Sequence, residues 1–141
     1  MKKILVLCTG NSARSQMGEG LLRHEGRGMV EVASAGTNPT VVRPEAVAVM
    51  RELGIDISGH RSKSVMEFAG HPFDFVITVC DNARESCPFF PHTTTRIHWG
   101  LDDPAAVEGA EEVRLAAFRR IRDQLHDHVR EFYRGDGRKL L

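Results

Sequence analysis

The sequence predicts a single α/β domain spanning residues 1–141, built on a four-stranded parallel sheet with helices on both faces. Three observations point there. Short apolar runs alternate with segments of helical spacing, the order that builds strand–helix–strand units. The strand candidates are continuous apolar runs rather than alternating ones, as in strands buried on both faces. The chain has 141 residues, 41% hydrophobic and 27% charged, enough for one core and too little for two. No repeat, low-complexity tract or Pro/Gly/Ser linker divides it.

Ile4-Leu5-Val6-Leu7 reads as the first strand, ending in a Gly-containing turn. The spacing of Met17, Leu21 and Leu22 predicts a helix from Arg14 to about His24. Val30 to Ala35 is the second strand, stopped by Gly36. Pro44 to Leu53 is expected to be helical, with Pro44 in its first turn and Gly54 past its end. A shorter helix is expected over Ser62–Ala69, a buried strand over Phe73–Val79 and a weaker strand over Thr95–His98. Val113, Ala117, Ile121, Leu125, Val129 and Phe132 then recur at intervals of four and three, one face of a long amphipathic helix. Arg119, Arg120, Asp123 and Asp127 fall off that stripe and read as solvated, and the tail 135–141 is expected to fray.

Nineteen basic and nineteen acidic residues leave no net field. That argues against nucleic acid or an anionic membrane as partner, so any anion must be captured locally. The apolar stretch Ile4–Cys8 is shorter than the roughly 7–15 residues of a signal-peptide core or the about 20 of a membrane span. A cytoplasmic protein is expected. Three cysteines are too few and odd in number for a disulfide scaffold, and in a reducing compartment they read as reactive or buried. Zinc is excluded by spacing: His126 and His128 stand two apart, on different sides of a helix.

The most informative segment is Cys8-Thr9-Gly10-Asn11-Ser12-Ala13-Arg14-Ser15. It lies between a buried strand and a helix start, so its backbone N–H groups can point inward at a tetrahedral oxyanion. Gly10 and Asn11 tolerate the positive φ that such a nest requires. Arg14 supplies a planar fork able to hold two oxygens at once. A helix N-terminus and an adjacent cation can lower a thiol pKa from about 8.5 to about 3.5–7.5, so Cys8 is expected to be a thiolate, with the Ser15 hydroxyl bonding its sulfur. The plainer alternative, a strand-end cysteine packed as a small hydrophobe, leaves the surrounding strand–loop–helix pattern unused.

CTGNSARSQM at 8–17, SAGT at 34–37, the VC–CP pair spanning Val79 to Pro88, and HWGLDDPA at 98–105 carry a resemblance over most of the chain. With them the sequence resembles the low-molecular-weight tyrosine phosphatase fold and, within it, the thioredoxin-coupled arsenate reductases. On their own, Cys80 and Cys87 read as a core residue and a helix-end residue. The resemblance implies a relay instead. Cys8 attacks arsenate, Cys80 attacks Cys8 to release arsenite and leave a Cys8–Cys80 disulfide, and Cys87 attacks Cys80. The Cys80–Cys87 disulfide is then reduced by thioredoxin, ultimately at the expense of NADPH, with no cofactor bound. Each transfer is a thiolate exchange. If residues 80–87 form a helix when reduced, their ends lie about 10.5 Å apart along the axis. A disulfide needs Cα atoms within about 7 Å, so an order change at 81–92 is expected on oxidation. Pro88 stops the helix, and Asp81, Asn82 and Ser86 form helix poorly.

Asp103 aligns with the Asp of the family's Asp-Pro motif, which implies a general acid for the leaving oxygen. It also reads as a helix N-cap before Pro104, and the two roles are compatible. Asp102 is the fallback, and His98 and Trp99 are read as packing residues. Some relatives of this kind bind potassium through Asn, Glu, Ser and Asp. Asn11, Glu19 and Ser34 match three of these, but Lys63 stands where the Asp would be, so its ammonium is expected to replace the ion and no metal is assigned. A monomer is expected, with phosphate or sulfate as competing oxyanions. The alternative is a low-molecular-weight tyrosine phosphatase acting through a Cys8 phosphocysteine with Arg14 and Asp103. A non-enzymatic oxyanion or redox sensor is a third class, for which no effector surface is visible.

Overall fold

Five consecutive buried residues, Ile4 to Cys8, place β1 (Lys2–Cys8) at the centre of the sheet. The computed structural model describes residues 1–87, 90 and 94–135. β1 pairs in parallel with β2 (Val30–Gly36) on one side and β3 (Phe75–Thr78) on the other, and β3 pairs with β4 (Thr95–His98). The order is β2-β1-β3-β4. A strand with neighbours on both edges, covered on both faces, can be apolar at every position. Cys8 pairs with Gly36 at the carboxyl end of the sheet, the end at which open α/β sheets bind ligands.

The helices are α1 (Arg14–Glu25), α2 (Pro44–Arg51), α3 (Asp81–Glu85) and α4 (Glu111–Arg134). α1, α2 and α4 pack on one another, and α3 lies against β1 and β3. The steps from β1 to β2 and from β3 to β4 run in opposite directions across the sheet, so right-handed crossovers put α1 and α3 on opposite faces. Among the described residues, no helix is long and apolar enough to cross a membrane.

Several expectations need correction. The helix expected over Ser62–Ala69 is only a 3₁₀ turn, Val65–Phe68, capped by the Ser64 hydroxyl. Residues 62–64 are drawn out because Lys63 bonds Asn11 and Gly36, and Ser64 bridges Gly36. β3 is shorter than Phe73–Val79, and the Phe73 ring packs edge-on against Phe68 and Phe90. α3 is a single turn rather than a helix over 80–87, so the axial estimate for eight helical residues does not apply. Val113 is 52% exposed and leaves the α4 stripe, whereas Arg122 is buried in it and donates to the Val49 carbonyl and Glu52. Arg119 joins Glu52 as well instead of standing free in solvent. The stop at Pro88, part of the 81–92 segment and the tail beyond Gly135 lie outside the described residues.

Candidate active site

Residues 9–13 turn sharply between β1 and α1, with their carbonyls anchored on the outer side. Thr37, Asn38, Thr40 and Arg43 donate backbone N–H groups to the carbonyls of Cys8, Thr9, Gly10 and Ser12, at 2.9 to 3.2 Å. Outward carbonyls leave the loop's amides to face the Cys8 sulfur, as that of Asn11 does at 3.1 Å. The left-handed residue is Asn11 (φ 49°); Gly10, expected to share that conformation, does not. Gly10 serves space instead, because a Cβ there would press on the Ser12 and Thr40 hydroxyls at 3.2 and 3.3 Å. Gly36 is needed still more, since a side chain would collide with the Thr9 carbonyl.

Asn11 is fully buried and uses its whole amide. Its Nδ2 donates to Ser15 Oγ (2.7 Å) and Ser34 Oγ (3.0 Å), and its Oδ1 accepts from Gln16 Nε2 (3.0 Å) and the Lys63 N–H (2.9 Å). Because Ser15 Oγ accepts from Asn11, its proton is free to point at Cys8 Sγ, 2.8 Å away. Ser34 passes its proton on to Glu19 Oε1 at 2.6 Å. The cation facing Glu19 is Arg23, with His60 Nε2 3.4 Å from the same carboxylate. The Lys63 ammonium donates to the Arg61 carbonyl (3.2 Å) and feels the Glu19 charge without a direct bond to that carboxylate. Its support of the loop runs through its backbone N–H. His60 Nδ1 meets Gln16 Oε1 at 2.9 Å and closes the ring of bonds.

A second correction concerns the nucleophile. Cys8 is 2% exposed, and burial pushes its thiol above the ordinary value. Bonds from Ser15 and Asn11 and the Arg14 charge pull the other way without prevailing. The Arg14 charge is partly diverted: Nη1 donates to the Leu101 carbonyl (2.9 Å) and Nη2 lies 4.0 Å from Asp103 Oδ2. Cys8, Gly10, Ser12, Ala13 and Arg14 line a cavity of about 410 Å³ together with Arg43 and Asp103. Of the two neighbouring acids, Asp103 is the one in its wall. Asp103 also caps the 3₁₀ turn Pro104–Ala106 by accepting from Ala105 N–H at 3.0 Å.

Of the remaining thiols, Cys80 stands at the carboxyl edge of the sheet beside Thr9, and Cys87 stands by Arg96 of β4. Cys80 is the N-cap of α3, its sulfur accepting from Ala83 N–H and lying 3.4 Å from Thr9 Oγ1. Asn82 donates to Thr9 Oγ1 (3.1 Å), which frees the Thr9 proton for the Cys80 sulfur. Cys87 is half-buried just past the end of α3 and touches Arg96. All three cysteines are free thiols.

A family model for low molecular weight phosphotyrosine protein phosphatase matches residues 3–139. The chain belongs to that family. An arsenate reductase of Bacillus licheniformis is 44% identical over 131 residues, covering 93% of this chain and 94% of the relative. Among solved structures, an arsenate reductase in its phosphate-binding state has a TM-score of 0.77 at 34% identity, covering 94% and 96% of the two chains. A thioredoxin-dependent arsenate reductase of Corynebacterium glutamicum has a TM-score of 0.72 at 26% identity. There the match spans 95% of this chain and 61% of the other.

In this low molecular weight phosphatase-family chain, the sulfur, the inward amides and Arg14 form a cup of the size and polarity to receive a tetrahedral oxyanion, with the Asp103 carboxyl in its wall. Sequence reading missed Gln16, His60 and Arg43. Gln16 looked like an ordinary helix residue, yet it is fully buried and ties Asn11 to Arg61. Arg43, read only as the residue before Pro44, is part of the cavity wall and holds the loop through its backbone N–H to the Ser12 carbonyl.

Proposed function

We propose that this protein reduces arsenate to arsenite through its three thiols, with thioredoxin restoring them. In the first step the Cys8 thiol gives its proton to an oxygen of the entering arsenate dianion, its sulfur bonds to arsenic, and hydroxide leaves as water, taking a proton from Asp103. The Cys80 thiolate then attacks the Cys8 sulfur. The sulfur–arsenic bond breaks, its electron pair departs with arsenite, and a Cys8–Cys80 disulfide remains. Cys87 displaces Cys8 from Cys80, and thioredoxin reduces the Cys80–Cys87 disulfide with electrons drawn ultimately from NADPH. The observation that carries this reading is the second thiol at the cup's rim, with Cys80 hydrogen-bonded to Thr9, the residue after Cys8. The arsenate reductases among its relatives support it. Free thiols suit a reducing cytoplasm, where the protein acts as a monomer and phosphate and sulfate compete for the cup.

The test is arsenate-dependent NADPH oxidation with thioredoxin and thioredoxin reductase. Wild type turns over; Cys80→Ser and Cys87→Ser stop, while both still cleave an aryl phosphate slowly. Full turnover by Cys87→Ser would remove the third thiol from the relay. No arsenate-dependent oxidation by wild type, beside brisk aryl phosphate cleavage, would favour the second reading: a tyrosine phosphatase using Cys8, Arg14 and Asp103 through a phosphocysteine. The cavity that holds these three without Cys80 is what speaks for that alternative.

A further inference from the structure

Successive side chains of a strand point to opposite faces, so Arg96 and His98 share one face of β4. Both reach the segment that carries Cys80 and Cys87, one at each end. His98 Nδ1 meets Thr78 Oγ1 at 2.7 Å and its Nε2 meets Asp81 Oδ1 at 3.0 Å. Asp81 follows Cys80 directly and opens α3, so this bond fixes the segment's start to the sheet. Arg96 Nη1 donates to Cys87 Sγ at 3.5 Å, at the segment's other end. A helix of five residues has too few internal bonds to hold its own ends, so these two side chains, together with the bonds from Asn82 to Thr9 and Thr37, hold the segment, and Arg96 is the one that reaches Cys87.

We infer that β4 clamps this segment at both ends and that Arg96 is the residue that prepares Cys87 for attack on Cys80. The inference rests on the relay proposed above. The exchange is neutral in electrons: the Cys87 thiolate forms a bond to the Cys80 sulfur, the Cys8–Cys80 bond breaks, and the electron pair leaves on Cys8. The proton that Cys87 must first lose goes to water. A guanidinium at the sulfur favours the ionised form that this step needs. Burial pushes the Cys87 thiol up, and Arg96 opposes it through its charge and its hydrogen bond. Arg96 is the one charged group that the described residues bring to bear on that sulfur. Arg96 also lies outside the cup, so its effect is confined to the resolving thiol.

The experiment uses the full chain with Cys8→Ser and Cys80→Ser, so that Cys87 is the sole thiol, and follows its alkylation by iodoacetamide as a function of pH. Replacing Arg96 by Gln should move the half-maximum of the profile up by about one pH unit and slow alkylation at neutral pH about tenfold. Arg96→Lys should recover most of the difference, because it restores the charge without the planar fork. A profile unchanged in Arg96→Gln, or displaced equally in Arg96→Lys, would overturn the inference. Circular dichroism of each variant separates this outcome from loss of fold. The profile involves neither arsenate nor thioredoxin, so Arg96 is judged apart from the relay. An unchanged profile alongside a stalled Cys87→Ser enzyme would keep the relay and dismiss Arg96.

Discussion

Cys8 combines a nucleophile's position with an environment that holds its proton. Its thiol is pushed up by burial, and the Ser15 hydroxyl is the strongest of the contacts pulling it down. Ser15→Ala should therefore move the pH profile of Cys8 alkylation further upward, measurable in a chain lacking Cys80 and Cys87. A downward move would mean that the hydroxyl favours the neutral thiol. A group whose pKa is raised on folding adds stability below its unfolded value and loses it as pH rises through the folded one, so Cys8 weakens the fold on the alkaline side. His60 works at the other end of the scale. Burial lowers its pKa, with the Glu19 carboxylate opposing. Its neutral ring donates from Nδ1 to Gln16 and accepts from Arg23. Stability from this group is present above the ordinary histidine value and lost as pH falls through the lowered one. Thermal unfolding of wild type should show a greater acid-side loss than His60→Gln; parallel curves would refute the assignment. Arg43→Ala should raise KM for arsenate several-fold with a smaller change in kcat, because the residue lines the cavity wall and removing it takes a positive charge from beside the anion site.

At the level of elements, α3 is the weak member. It has five residues, its N-cap is a sulfur, and its start and the cysteine past its end are tied to β4. If oxidation joins Cys80 to Cys87, the amides of residues 82–87 should exchange hydrogen faster in the oxidised protein than in the reduced one. Equal exchange would exclude a shuttle that depends on unwinding. This element was only half legible in the sequence. The Cys80–Cys87 pair stood out through its resemblance to a known pattern, while a one-turn helix has no periodicity to read. β1 was legible because a central strand can be apolar at every position. The 62–69 segment misled because its own helical leaning loses to tertiary bonds: Lys63 serves Asn11, and Ser64 bridges to Gly36. Gln16 and His60 left no local signal, since their partners stand 44 residues apart along the chain.

For the whole molecule, α4 is the longest brace. Leu125 and Val129 are fully buried, and the Tyr133 hydroxyl donates to the Leu22 carbonyl at 2.7 Å, tying α4 to α1. Arg122, 8% exposed, joins α4 to the end of α2 through the Val49 carbonyl and Glu52. Arg122→Ala should lower unfolding stability by about 2 kcal/mol, since it strands a buried carbonyl and breaks an ion pair with one exposed partner. Chemical denaturation measures it, and a change under about 0.5 kcal/mol would show the tether to be idle. The overall architecture was legible because alternating strand and helix patterns leave few ways to build a parallel sheet. The braces were not, since an arginine inside a helix face gives no sign of where its charge is met.

The parallel register of β1 with β3 also bears on how the chain survives denaturation. Along an unfolded chain, Cys87 lies roughly tenfold nearer to Cys80 than Cys8 does, and ring closure favours the nearer pair by about 2 kcal/mol. Only the assembled sheet brings Cys80 to within a hydrogen bond of the residue that follows Cys8. Refolding in air would therefore trap the local pair before the long-range partner arrives, and recovery of native protein should demand a reductant throughout.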